Sequence, residues 1–312
     1  MNLLIPLVVI LSASIWIQSP SSHDLLFLLG SQGQEVCAAR AESFSRPSSS
    51  ALGSLVCGLP FPQGQEKSLF IQLGLIHLLV VSGGHFLIIF SFLQSFGVAP
   101  ILMGILGVSY LFVSGFEAPA LRFLLGFAIA QLTGKFSQKI PADLAALFAG
   151  LMTLILFPQW IKSWSLALSW AAALALALHQ EHLKTQTQRT CAWVDLLHKQ
   201  IWVYLILFIP LLSFQTPHPI TILTNFLLAP LLSFVLFPLG FLAMILSFTA
   251  PLFEWAWVLT LSILKLIEVS KVYSEKEKLN LLWIWLYIFI IHFIFHFYRV
   301  HRKRTHTKGR TP

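Results

Sequence analysis

The chain has 312 residues, of which 57% are hydrophobic and only 10% charged, with a formal net charge of +8. A soluble globular domain carries about 25% charged residues, so this composition excludes an ordinary soluble fold. The excess positive charge is not in itself a nucleic-acid signature. Much of it lies in the tail Arg299 to Arg310 (RVHRKRTHTKGR), which reads as a cytoplasmic anchor.

Charge is missing from three long windows, Ser68 to Phe116, Gln200 to Phe253 and Leu279 to Tyr298. A membrane crossing needs about 20 apolar residues, and lipid offers no partner to open backbone, so the crossings are expected to be helices. In chain order the expected spans are residues 2–18, 69–95, 98–116, 119–133, 142–158, 163–179, 201–214, 220–249, 252–270 and 279–298. The fold class is therefore all-α, a polytopic membrane protein of about ten transmembrane helices, some broken or re-entrant. Three regions follow: 1–68, a first span and an extracytoplasmic loop; 69–298, the polytopic membrane domain; and 299–312, a basic cytoplasmic tail.

The first span has no basic residue ahead of it and reads as uncleaved. Residues 19–68 form a loop rich in Ser, Gly and Pro. It contains Cys37 and Cys57, which form a disulfide if the loop lies in an oxidising compartment and are otherwise two unpaired small residues. The segment 220–249 contains Pro230, Pro238 and Gly240 and reads as one broken or tilted crossing. With Met1 inside, Lys135 and Lys139, then Lys184, Arg189 and Lys199, and finally the basic tail all fall on the cytoplasmic side, so both termini are expected there.

Polar residues inside these apolar runs are the candidate functional positions, because ionisable groups at membrane depth are costly. The first set is His77, Ser82, Gly83, Gly84 and His85 in HLLVVSGGHF, where the glycine pair predicts a helix break. His77 reads as a histidine packed between helices, and His85 as functional. The second set is Glu117, Pro119 and Arg122 in GFEAPALRF. Pro119 opens a helix, and Arg122 one turn later either snorkels to the interface or, beside a helix N-terminus, attracts an anion such as phosphate. The third is Asn225 with Pro230, where asparagine bonds across to a neighbouring helix. His179, His292 and His296 stand near span ends and read as interfacial, and Lys265 and Glu268 are spaced to pair.

Enzyme signatures are sparse. Ser82-Gly83 stands where an intramembrane serine hydrolase would need GxSG, but position 80 is Val. No HExxH and no GxxxxGK[ST] occur, so no zinc site, no nucleotide site and no cofactor is expected, and transport would be driven by a gradient or a partner.

Three stretches together resemble the ComEC-type competence proteins, the membrane channel of natural DNA uptake. His77 to Phe86 is similar to that family's HLL-x-x-SG-x-H segment. Ala118 to Arg122 is similar to its AP-x-x-R segment, and Pro210 to Ala243 to its later run with N-x-x-x-x-P and PLG, here Asn225, Pro230 and Pro238-Leu239-Gly240. A weaker match is the L-x-x-S stretch around Leu166 to Ala171. Gly84 departs from the pattern, which has a bulky apolar residue there. The resemblance implies a bacterial inner-membrane channel subunit that passes single-stranded DNA into the cytoplasm. It also implies partners: the lipid bilayer, a DNA receptor, a cytoplasmic ATPase or helicase and a separate nuclease. The OB-like and metallo-β-lactamase-like domains of longer members are not expected in this sequence. A small-solute or ion transporter with a site at the broken helices, and a hydrolase using Ser82, are the alternatives.

Overall fold

The computed structural model describes residues 20–79, 83–135, 140–183, 192–212, 220–267 and 280–308. The expected span 2–18, Ser82, Lys139, Lys184, Arg189, Cys191, Glu268 and the side chain of His77 lie outside what it describes. Among the described residues all regular structure is helical.

The segment 19–68 differs from the loop expected of it. It contains α1 (Pro20–Glu42), α2 (Arg46–Leu55) and the start of α3 (Gln65–Gln72). Its Pro47 is not a breaker, because at the first turn of α2 the missing N–H is not needed. Nor does the segment stand apart. Leu52 and Leu55 are fully buried in one core with Phe70, Leu73, Phe253 and Trp257. Cys37 and Cys57 are bonded, tying α1 to the end of α2.

One contact corrects the membrane topology. Arg40, three residues past Cys37, donates from Nε to the Met244 carbonyl at 3.1 Å and from Nη2 to Ser247 Oγ at 2.6 Å. The ten-crossing reading puts that turn in the cytoplasm and residues 19–68 outside. A bilayer core is about 30 Å thick, so both placements cannot hold together.

The expected span 69–95 is interrupted at Gly74. Gly74, at φ +70, ends α3 with its N–H on Ile71 O and the Leu75 N–H on Phe70 O, a left-handed cap that a side chain would strain. A short α4 (Ile76–Leu79) follows, and α5 (Gly83–Ser95) then begins at the glycine pair. Next come α6 (Pro100–Val113), α7 (Ala118–Lys135), α8 (Ala142–Leu156), α9 (Trp164–Leu183) and α10 (Ala192–Leu211). Gly115 closes α6 in the same manner as Gly74, and Phe116 follows at φ +56.

Within the segment 220–249, residues 220–245 are one helical length, ended by the extended Leu246. It is built of α11 (Ile220–Leu231), a π turn (Leu232–Leu236) and α12 (Phe237–Ile245). Pro230 and Pro238 lack the N–H that an α-helix needs, and the π turn between them absorbs the shifted hydrogen-bond pattern. Then come α13 (Ala250–Leu266) and α14 (Leu281–Lys308). By length and composition Thr221–Ile245, Ser247–Leu266 and Leu281–Tyr298 can cross a membrane, whereas α5, α6 and α8 are shorter.

Three cores organise these helices. The first joins α2 and α3 to α11–α13. In the second, Phe86, Phe90, Met103, Tyr110 and Leu124 pack α5 against α6 and α7. In the third, Leu166, Trp170, Leu174 and Leu178 of α9 meet Ile206 of α10 and Ile284 and Ile288 of α14. Gly150 of α8 lets Trp170 approach, since a Cβ there would stand 2.4 Å from the indole ring. Gly150→Val should cost about 1–3 kcal/mol through overpacking, because a rigid ring cannot give way. A lowered unfolding temperature of the detergent-solubilised protein checks this.

Candidate functional site

Residues far apart in sequence converge around the start of α5. Arg122 lies one turn into α7 and is buried at 7% exposure. Its Nε and Nη2 both donate to Ser169 Oγ of α9, at 3.2 and 3.0 Å. The AP-x-x-R and L-x-x-S segments thus meet through a hydrogen-bonded pair. Among the described residues no carboxylate lies within ion-pairing distance of Arg122.

Arg122 also meets the glycine pair. A Cβ added to Gly83 would stand 3.4 Å from Arg122 Nη2. Gly83 is the first residue of a 13-residue helix, whose start carries partial positive charge from its aligned peptide dipoles. A buried cation therefore adjoins the described start of α5, and a cation beside a helix start is an arrangement that attracts an anion. Glu117 accepts the Ala120 and Leu121 N–H groups through its backbone carbonyl. Half-burial raises its carboxyl above the usual carboxylate range.

His85 is buried two residues further along α5, its ring 4.4 Å edge-on from that of Phe237. Phe237 immediately precedes Pro238-Leu239-Gly240, so the first and third motif stretches touch here. Pro119 is buried where α7 starts, and Gly84 is exposed on α5.

Asn225 makes the cross-helix bond expected of it, although the partner is backbone. Its Nδ2 donates to Gly74 O at 3.3 Å and to Thr221 O at 2.7 Å. Thr224, which the sequence reading passed over, donates to Leu73 O at 2.7 Å. Together they hold α11 on the turn before α4 and α5. Asn225→Ala should cost about 1 kcal/mol, seen as a lower unfolding temperature with helical content retained.

Two histidines read as interfacial are instead buried. His179 (2% exposed) lies 3.4 Å from Asp195, and His292 (5%) accepts the indole N–H of Trp170 at 3.0 Å.

The family model described as Competence protein matches residues 63–304. No curated protein and no solved structure matches the chain.

Proposed function

The chain belongs to the competence protein family, and from that premise we propose that it passes single-stranded DNA through the inner membrane during natural transformation. Membership supports a role in DNA uptake. Arg122 supports the finer reading. A DNA strand carries one phosphate charge per nucleotide, and its path needs cations or N–H groups directed at those charges. Arg122 supplies a cation with no carboxylate at ion-pairing distance among the described residues, beside the described start of α5.

In this reading Ser169 holds the guanidinium plane by accepting from one edge, leaving the outer edge for a phosphate oxygen. Gly83 leaves space beside Nη2 that a Cβ would fill, at 3.4 Å from that atom. His85 and Phe237 form the adjoining wall. Asn225 and Thr224 position α11 and Gly74 and touch no substrate. An external DNA receptor, a cytoplasmic ATPase or helicase and a separate nuclease complete the process. The test is deletion of the gene in a competent host. Transformation should fall to background while binding of DNA at the cell surface persists, and unchanged transformation would refute the proposal.

A further inference from the structure

The helices α5 to α8 share two end levels. Phe86 and Phe90 of α5 meet Phe123 and Phe127 of α7, with ring centroids 5.8 and 4.7 Å apart, so the two helices run side by side in one direction. Phe86 also meets Tyr110 of α6 at 5.0 Å, and a Cβ on Gly107 would stand 2.7 Å from the Phe90 ring, so α6 returns antiparallel. Ala149 of α8 lies beside Gly126 of α7. Phe157, just past α8, stacks edge-on with Phe116, just before α7, at 5.3 Å. So α8 returns as well. This register sets the turn between α5 and α6, residues 96–99, level with the end of α7.

The distance between the two levels is short. α6 is bounded at both ends, by Pro100 in its first turn and by its C-cap Ser114. Its 14 residues rise about 21 Å, and the 15 residues of α8 about 22 Å. A bilayer core is about 30 Å thick. One end of α6 is held beneath the disulfide-bonded segment, where Tyr110 Oη donates to Val56 O at 3.1 Å and Gln34 Nε2 donates to Cys57 O at 3.0 Å. Its flank is apolar and exposed at Ile101, Leu102, Ile105 and Val108, as is that of α8 at Phe148 and Ile155. The shortfall is one-sided, because Thr221–Ile245 has 25 residues and a rise of about 37 Å.

We propose that the α5–α8 side of this protein fits a hydrocarbon layer about 9 Å thinner than an ordinary bilayer and draws the phospholipid around it into that thickness. The partner of this surface is short-chain phospholipid. Sinking the hairpin instead would leave the exposed Gln94 and the backbone of the 96–99 turn in hydrocarbon, where no water can satisfy them. Arg122 of α7 lies within the thin part, but the inference does not rest on the DNA reading.

Spin labels on the purified full chain in phosphatidylcholine vesicles of ordinary chain length test this without DNA. Cys191→Ser leaves one reactive thiol in each of Phe96→Cys, Ile101→Cys and Ile105→Cys, since Cys37 and Cys57 are bonded. Labels at 96 and 101 should collide with a water-soluble nickel chelate, and the label at 105, midway along α6, should lose those collisions and meet oxygen instead. Labels at 96 and 101 reached by oxygen alone would place the turn in hydrocarbon and overturn the proposal. Labels there reached by neither would show protein covering them, and would overturn it too. Unlabelled wild type gives a second measurement. Its unfolding temperature should be higher in short-chain than in long-chain vesicles, and the reverse order would contradict the proposal while leaving the Arg122 reading untouched.

Discussion

Arg122→Gln is expected to lower transformation about 10- to 100-fold while the protein stays in the membrane at near wild-type level. Glutamine still reaches toward Ser169 and fills most of the space, so the packing of α7 on α9 survives. What it lacks is the charge. A hydrogen bond to a charged group contributes about 1.5–3 kcal/mol, and each 1.4 kcal/mol is a factor of ten. Arg122→Lys should fall between the two, because a point ammonium cannot bond Ser169 and a phosphate in one plane. Transformation frequency beside an immunoblot of membranes separates loss of function from loss of protein. A Gln variant that transforms like wild type would remove Arg122 from the DNA path.

Breaking the Cys37–Cys57 disulfide should cost about 3 kcal/mol, the chain-entropy value for the separation of 20 residues between the cysteines. The loss concerns more than a surface loop. The bond holds α1 against α2, whose Leu52 and Leu55 belong to the core shared with α13. It also fixes the end of α1 from which Arg40 reaches Met244 and Ser247. Cys37→Ser, Cys57→Ser and the double substitution should therefore behave alike, each lowering both membrane protein level and transformation. Mobility on a non-reducing gel checks that the bond is present in wild type and absent from all three. A full-strength double variant would show that the bond adds nothing to stability.

Membrane class and helical fold were legible because charge is missing over whole windows, a signal independent of packing. The order of the motif stretches was equally legible. What brought them together was not. Arg122 and Ser169 are 47 residues apart on different helices, and neither residue type names the other as partner. Residues 19–68 misled through composition. Ser, Gly and Pro suggest a loop, yet Pro47 stands at a helix start, and Gly30 and Gly33 of α1 allow contact with the end of α6, where a Cβ would meet Phe116 and Phe112. His179 and His292 misled for a different reason. Position near a span end fixes depth along a helix but not which neighbour the side chain faces, and both face another helix. Asn225 was readable because a lone amide in an apolar helix has few alternatives to a cross-helix bond.

We propose that this chain conducts single-stranded DNA past Arg122. The most direct measurement reconstitutes the purified chain in lipid vesicles, adds labelled single-stranded DNA outside, and counts the label protected from an added nuclease. Wild type should protect DNA in the lumen, and Arg122→Gln should protect at most about a tenth as much. Equal protection by the two proteins would contradict the account.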